Sequence, residues 1–236
     1  PSTPAALLTG QVISRIERHG KQMALHGDDA APVVCVHLGM TGSLCDAAAN
    51  QAGDPHCHVT WHLNNDRVMV FRDPRRFGGI WTFADAAALH DQRWSQLGPD
   101  ARRVTPSALH TRLQRTRRSL KAALLDQAVV AGLGNIYVDE LLYVCRLRPD
   151  RQADTLVLKD VQGLVQRMKP LLRRAIKAGG SSTRDYVDGE GKQGSYQQSH
   201  RVYGRGHEPC LDCGQPLNSV SIAGRTTVYC ETCQPV

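Results

Sequence analysis

Two different spacings of apolar and polar residues divide the chain. Up to about residue 80, short runs rich in β-branched and aromatic residues are separated by polar turn material containing Gly, Asp and Asn. The clearest runs are VVCVHL (33–38), HVTWHL (58–63) and RVMVFR (67–72). Such runs predict β-strands, and strands this closely spaced are typical of a sandwich or barrel rather than of alternating βαβ units.

From about residue 85 the apolar positions follow helical spacing. Leu, Ala and Val recur three and four residues apart in four segments: 84–94, 106–115, 119–132 and 155–180. The last segment ends at Gly179-Gly180, a usual C-terminal stop, and we expect Pro170 to kink or divide it. Residues 181–200 are polar, rich in glycine and aperiodic, which predicts a long surface loop. The predicted fold is therefore α+β.

The last 36 residues contain the most specific motif. Four of the eight cysteines form a C-x2-C-x16-C-x2-C pattern: Cys210, Cys213, Cys230 and Cys233. Two such pairs complete a tetrahedral thiolate shell for one Zn²⁺ and leave no position open for a catalytic water. We therefore expect a structural zinc, whose binding supplies folding energy to a small module. SVSIAGRTTVY, between the pairs, predicts a β-hairpin that turns at Ala223-Gly224.

The excess of positive over negative charge lies entirely in the second part of the chain. The net charge is +7, but residues 1–110 contain ten Lys/Arg and ten Asp/Glu, whereas 111–236 contain nineteen and twelve. This asymmetry favours a polyanionic partner such as nucleic acid, although a solvated basic surface has the same composition. No apolar run reaches membrane-spanning length and the start does not resemble a signal peptide, so we expect a protein of the cytoplasm, associated with the nucleoid.

Several loops carry residues suited to nucleic acid. GLGN, ending at Asn135, predicts a helix N-terminus able to bind phosphate, as in a helix-turn-helix unit, or a plain connection between helices. DPRRFGG (73–79) places Phe77 between arginines and glycines, as in wedges that part DNA base steps, although its ring could equally pack on the core. Met40 between glycines could likewise insert or pack. Arg225, at the predicted hairpin tip, could reach a phosphate or stay solvated.

The segments that contain these residues, with three others, closely resemble the formamidopyrimidine-DNA glycosylase family. The similarity runs in order from about residue 7 to 234 through RHGKQMAL, HLGMTGSL, DPRRFGG, LLDQAVVAGLGNIYVDE, GGSSTRDY, VYGRGHEPC and GRTTVYCETCQ. The resemblance implies a monomeric base-excision enzyme that acts on damaged double-stranded DNA. Such an enzyme flips an oxidised purine (8-oxoguanine or a formamidopyrimidine) out of the duplex, cleaves its glycosidic bond and nicks the strand by β- and δ-elimination through a Schiff base.

The resemblance also implies roles for individual residues. Met40, Arg75 and Phe77 match the trio that intercalates into the duplex. Lys21 matches the lysine of β-elimination, and Arg225 matches an arginine linked to δ-elimination and to phosphate. The other expected DNA contacts are His56, Arg115, Arg117, Lys121, Asn135 and Tyr203. Residues 181–200 match the family's lesion-capping loop, where Ser195 stands in place of the usual aromatic residue.

The start of the sequence departs from the family pattern. Family members begin with a nucleophilic proline followed by a glutamate, whereas Pro1 is followed by Ser2 and Thr3, and the first glutamate is Glu17. Pro1 aligns inside the family pattern, so we expect the family's first helix and opening strands to be missing here. A non-catalytic damaged-DNA-binding protein is therefore the alternative to an enzyme. A zinc-ribbon RNA-binding protein fits the cysteines and the charge, but not DPRRFGG with Met40.

The predicted domain organisation has three parts. A β-sandwich domain occupies 1–84, and a helical DNA-binding domain with a helix-two-turn-helix unit occupies 85–200, including the capping loop at 181–200. The zinc finger occupies 201–236.

Overall fold

The computed structural model of the protein describes residues 5–28, 32–48, 54–182 and 187–235. Its contacts divide the chain into two compact units. The first is Pro1–Gln96 with Ala178–Gln197, and the second is Leu97–Lys177 with Gln198–Val236. No helix within the described ranges is long and apolar enough to cross a membrane.

The first unit is built on two antiparallel sheets. Its strands are β1 Arg15–His19, β2 Gln22–His26, β3 Val33–His37, β4 Ser43–Ala48, β5 Cys57–His62, β6 Arg67–Arg72 and β7 Gly79–Phe83. One sheet has the order β1-β2-β3-β7 and the other the order β4-β6-β5. Antiparallel neighbours joined by short turns agree with the alternation of apolar runs and turn residues along the sequence.

The two sheets share one core, as a sandwich requires. Leu25, Val34 and Val36 of the first sheet are buried in one cluster with Trp61 and Phe71 of the second. These residues occupy alternate positions on β3 and a single face of β5 and β6, because successive side chains of a strand point to opposite faces. The predicted sandwich is confirmed.

The first unit extends beyond the predicted sandwich boundary at residue 84. Helix α1, Ala86–Gln92, begins at the N-cap Asp85, whose carboxylate accepts a hydrogen bond from the Ala88 amide at 2.8 Å. It packs against β3 and β7. Residues 187–197 also belong here, since Asp46 N–H on β4 donates to Gly189 O at 3.2 Å. The compact units thus do not coincide with the predicted boundaries at 84/85 and 200/201.

The second unit contains four helices around the larger core. They are α2 Pro106–Leu113, α3 Leu120–Leu125, α4 Asn135–Cys145 and α5 Leu158–Lys177. The apolar residues of α5 fall three or four apart, and their buried members are Val161, Leu164, Val165, Met168, Leu171, Leu172 and Ala175. This single buried stripe explains why a helix with so many charged residues is stable here.

Two of the predicted helices differ from the observed ones. Helix α3 ends at Leu125 rather than near 132, because Asp126 takes an extended backbone and its carboxylate accepts from Ala128 N–H at 2.8 Å. Gln127 then holds the following turn, accepting from Gly132 N–H at 2.9 Å. Pro170 does not divide α5, which is continuous through it. Burial of Leu171 and Leu172 on the next turn offsets the loss of about 3 kcal/mol expected for an interior proline.

The C-terminal hairpin forms as predicted. Strands β8, Asn218–Ile222, and β9, Arg225–Tyr229, pair in antiparallel register. The turn residues Ala223 and Gly224 have φ values of 51° and 68°, which is the pattern of a type I′ turn. Ala223 has to take the left-handed conformation that glycine takes without strain.

Candidate metal centre and nucleic-acid interface

The four predicted zinc ligands come together at the base of the β8–β9 hairpin. The Sγ atoms of Cys210, Cys213, Cys230 and Cys233 all lie within 4.8 Å of one another. Asp212 N–H and Cys233 N–H point at the sulfurs of Cys210 and Cys230, at 3.5 and 3.4 Å, as in a zinc knuckle. Four thiolates in this arrangement fit one tetrahedral Zn²⁺ with no open coordination position, which is the expected structural metal.

The metal centre is joined to helix α4. The hydroxyl of Tyr143 lies 3.1 Å from the Cys210 sulfur, and Tyr143 shares a buried cluster with Val202, Leu217 and Val228. The finger therefore packs on the helices of the second unit rather than standing alone. Its hairpin is fixed at one end by metal and along its side by apolar contact.

The N-terminus of α4 has the features of an anion site. Asn135 is the first helical residue, and the N-cap Gly134 supplies no side chain to accept from the first amides. Asn135 Nδ2 donates to Thr226 O at 3.1 Å, so the side chain lies beside the backbone of the residue that follows the exposed Arg225. Helix N–H groups without a side-chain cap, with an amide beside them and an arginine on the adjoining strand, suit a phosphate.

Tyr203 is held close to α4 by a buried glutamate. The Glu140 carboxylate accepts hydrogen bonds from the backbone amides of Arg201, Val202 and Tyr203, each at 2.9 Å. The half-buried ring of Tyr203 meets His200 edge-on at 5.5 Å between centroids. Burial lowers the pKa of His200, although the Glu140 charge opposes the shift. Glu140 is a residue that the sequence reasoning missed, because an acid in a helix carries no local sign of such a role.

The structure contradicts the prediction that Lys121 contacts DNA. Its side chain is 0% exposed, and its ammonium lies 2.6 Å from Asp139 Oδ1 and 2.9 Å from Thr226 O. A fully buried, paired lysine cannot reach a phosphate. Arg115 and Arg117 are exposed, and Arg117 makes a loose 3.6 Å ion pair with Asp154; their contact with DNA stays a prediction.

In the first unit, Met40 and Phe77 stand out from two adjacent loops. Met40 is 57% exposed and Phe77 is 55% exposed, so neither packs back on the core. The Arg75 guanidinium lies 4.7 Å from the centre of the Phe77 ring, a cation–π distance. Two exposed apolar side chains with an arginine beside them match the arrangement of an intercalating wedge. His56 is also exposed, and its carbonyl accepts from Asp73 N–H at 3.0 Å.

One buried carboxylate holds the loop that carries Met40 and the loop that carries Phe77. Asp73 is 1% exposed and accepts from Thr41 Oγ1 at 2.8 Å in the Met40 loop and from Gly78 N–H at 2.7 Å beside Phe77. Burial acts to raise the pKa of Asp73, but these hydrogen bonds outweigh it and lower the pKa overall. The loops also touch directly: a Cβ on Gly39 would lie 2.5 Å from Gly78 N.

Replacing Asp73 with asparagine should loosen both loops without unfolding the sandwich. The amide keeps the volume but replaces one acceptor oxygen by a donor, so either Thr41 or Gly78 loses its bond. Because the pKa of Asp73 is lowered in the fold, its contribution is present above the unfolded value and is lost as the pH falls through the folded value. We expect a loss of about 1–3 kcal/mol in unfolding free energy at pH 7, measured by urea denaturation. Equal stability of D73N and wild type at pH 7 would contradict this role.

Lys21 lies at the turn between β1 and β2. Gly20 has φ 59°, which lets the chain reverse, and Lys21 is exposed beside it. Burial lowers the pKa of the neighbouring His37, and the positive charges of Lys21 and Arg93 lower it further. The turn is anchored by Gln22, whose Oε1 accepts from Arg93 Nε at 2.7 Å and from Trp94 Nε1 at 3.1 Å.

The predicted capping loop is anchored at the base. Ser195 N–H donates to Ala178 O at 2.8 Å and Tyr196 N–H to Gly180 O at 3.0 Å, with Tyr196 buried. Residues 183–186 lie outside the described part of the chain, as does Pro1. The role of this loop at a lesion stays a prediction.

Three family profiles match the chain in the order of its elements. They are the formamidopyrimidine-DNA glycosylase N-terminal domain over residues 1–80, the formamidopyrimidine-DNA glycosylase H2TH domain over 97–187, and the zinc finger found in FPG and IleRS over 208–236. Among curated proteins, the formamidopyrimidine-DNA glycosylases of Syntrophomonas wolfei and Geobacillus kaustophilus are each 39% identical. The matches cover 96% and 99% of this chain and 84% and 85% of those proteins.

Solved structures give the same result. The Lactococcus lactis Fpg in complex with abasic-site DNA superposes with a TM-score of 0.86 at 31% identity, over 95% of this chain and 83% of that one. The MutM (FPG) protein of Thermus thermophilus gives 0.85 at 34% identity, over 95% and 84%. A two-sheet domain, a helical unit and a four-cysteine finger in this order define a zinc protein of the helix-two-turn-helix class. The chain belongs to the formamidopyrimidine-DNA glycosylase family.

Proposed function

We propose that this protein is a monomeric base-excision DNA glycosylase and AP lyase. It acts on double-stranded DNA that contains oxidised purines, 8-oxoguanine or formamidopyrimidines, and nicks the abasic strand by β,δ-elimination. The observation that carries the proposal is the wedge of Met40, Arg75 and Phe77, exposed on two loops that the buried Asp73 holds together. Support for the lesion class comes from relatives: the Lactococcus lactis protein is described in complexes with abasic-site DNA and with Fapy-dG DNA.

The wedge supplies what base extrusion requires. Turning a nucleotide out of the duplex costs a few kcal/mol in lost stacking and pairing, and an inserted side chain offsets part of that cost. Met40 and Phe77 provide apolar surface that is already in water, so inserting them between bases also removes that surface from water. Arg75 beside the ring provides a donor for the base left without its partner.

Residues that can contact the DNA backbone occur in both units. In the second unit, Asn135 binds the carbonyl of Thr226, which follows Arg225, and Tyr203 is held on α4, so all three can bind phosphates. Arg115 and Arg117 add exposed positive charge, and the exposed His56 of the first unit can donate a hydrogen bond to a phosphate. Phosphate contacts of this kind set affinity and register without reading sequence.

Lys21 and Arg225 are the proposed residues of the strand-nicking step. The neutral amine of Lys21 can condense with the C1′ aldehyde of an abasic site, releasing water and forming a Schiff base. Loss of a C2′ proton then expels the 3′ phosphate, and a second elimination expels the 5′ phosphate, with Arg225 stabilising the departing anion. Both side chains are exposed, as this chemistry requires.

Borohydride trapping tests the catalytic part of the proposal. On a duplex with one abasic site, we expect a covalent complex whose cross-linked peptide contains Lys21, since reduction fixes a Schiff base. Lys21→Ala should reduce the yield at least about a hundredfold, the lower end of the effect of losing one positioned catalytic group. Lys159→Ala, which removes an exposed lysine on α5, is the matched control and should leave the yield unchanged.

Binding to an uncleavable abasic analogue separates recognition from chemistry. If the chain prefers the tetrahydrofuran duplex to an intact duplex but forms no borohydride adduct, the lyase proposal is wrong and the non-catalytic damage-binding alternative holds. If it binds both duplexes equally, damage recognition itself is contradicted.

A further inference from the structure

We propose that the buried ion pair of Lys121 and Asp139 is a positioning device that sets the hairpin edge carrying Arg225 against the N-terminus of α4. This inference rests on the proposed function, because it assigns Lys121 and Asp139 a role in placing groups that bind DNA. Both side chains are buried, so they act through the backbone of β9 rather than by touching DNA.

The pair connects three elements through one carbonyl. Lys121 on α3 contacts Asp139 on α4 at 2.6 Å and donates to Thr226 O at 2.9 Å. Asn135 Nδ2, at the start of α4, donates to the same carbonyl at 3.1 Å. A carbonyl oxygen has two lone pairs, so these two donors saturate it. Thr226 is thus held from two helices at once.

Asp139 fixes the same strand at a second point. Its Oδ2 accepts from Val228 N–H at 3.2 Å while Oδ1 faces Lys121. The carbonyl of Thr226 and the amide of Val228 are both bound, which fixes the direction of β9 on either side of Thr227. Lys121 and Asp139 thus form a clamp on the segment from Thr226 to Val228. Arg225 directly precedes this segment, so the clamp also sets the position of its backbone.

The energetics favour positioning over stability as the role of the pair. Burial raises the pKa of Asp139 to about 6, even though Lys121 acts to lower it, and burial lowers the pKa of Lys121. Both directions are those expected where taking two charges out of water costs free energy that their mutual attraction offsets only in part. Apolar side chains of similar size would fill the same space, but they could not bind Thr226 O or Val228 N–H.

A double-mutant cycle on DNA affinity tests the coupling to Arg225. Lys121→Met should raise the Kd for a tetrahydrofuran duplex about tenfold, comparable with the loss of one charge-assisted contact. In an Arg225→Ala background the same change should add less than about twofold, because the group that it positions is gone. Independent losses that add in full would show a merely structural role and overturn the inference.

Two further variants keep the result interpretable. Lys159→Met removes one positive charge from an exposed site of the same unit and should leave Kd within about twofold. Lys121→Met combined with Asp139→Leu restores an apolar pair, so it should fold and retain one zinc while DNA affinity stays low. Full recovery of affinity in that variant would contradict the clamp.

Amide hydrogen exchange of the DNA-free protein separates this inference from the proposed function. In Lys121→Met the Val228 amide, which Asp139 binds, should exchange at least about tenfold faster than in wild type, and in Lys159→Met it should not change. Unchanged exchange overturns the clamp whatever the DNA results show. Faster exchange with no DNA preference in the wild type would instead contradict the proposed function alone.

Discussion

Cys213→Ser is expected to release the zinc and abolish DNA binding. Four thiolates supply the whole ligand shell, and a serine hydroxyl does not deprotonate to replace the lost one. Binding of a structural zinc contributes roughly 10 kcal/mol or more to the folding of such modules, so its loss exceeds what the small hairpin core can offset. The Arg225 hairpin then loses its fixed geometry, and with it the proposed phosphate contacts of Arg225 and Asn135.

The measurement is zinc content by atomic absorption together with Kd for a tetrahydrofuran duplex. We expect less than about one tenth of an equivalent of zinc and at least roughly a hundredfold weaker binding, the scale of several lost phosphate contacts. Cys57→Ser is the matched control, since Cys57 lies on β5 of the first unit and is not one of the four clustered cysteines. A zinc-free C213S that still binds with wild-type affinity would show that the finger is not needed for DNA binding.

The finger and its hairpin were predictable because their signals are local. The spacing of four cysteines requires one tetrahedral site, and Ala223-Gly224 between β-branched runs requires a tight turn, whatever surrounds them. The exposure of Met40 and Phe77 was only half predictable. An apolar residue between glycines either packs or stands out, and the buried Asp73 that decides the matter is recognised only once its bonds to Thr41 and Gly78 are known.

Lys121 shows why other features of the site could not be predicted from the sequence. In sequence it belongs to a basic stretch with Arg115 and Arg117, and such a stretch predicts an exposed face. Its partners are Asp139, eighteen residues later, and Thr226, more than a hundred residues later. Burial of a charge depends on contacts of that range, which neither periodicity nor composition encodes.

The continuity of α5 through Pro170 has a similar explanation. A proline inside a helix lacks the backbone N–H that would bind the preceding turn, and its free-energy cost is known from the residue type alone. Whether the helix breaks there depends on how much apolar surface the next turn buries. Here that turn buries Leu171 and Leu172 in the helical core, which a single sequence does not show.

Phe77→Ala should remove most of the preference for damaged DNA while leaving general DNA affinity almost intact. Non-specific binding depends on phosphate contacts, which Phe77 does not make, whereas the gap left by an extruded nucleotide has to be filled by an inserted side chain. We expect about a tenfold to hundredfold rise in Kd for the tetrahydrofuran duplex, the equivalent of the few kcal/mol that unstacking costs. The intact duplex should change less than about threefold. Fluorescence anisotropy with both duplexes measures the ratio.

Ile176→Ala provides the comparison that assigns the effect to position rather than to lost apolar surface. Ile176 on α5 is 56% exposed, close to the 55% of Phe77, so both changes remove a half-exposed apolar side chain. Ile176→Ala should leave both Kd values unchanged. If Phe77→Ala weakens binding to the two duplexes equally, the ring acts by shaping its loop, and the wedge no longer explains damage recognition. A selective loss, with Asp73 intact to hold the loops, leaves insertion of the ring between bases as the physical cause of the preference.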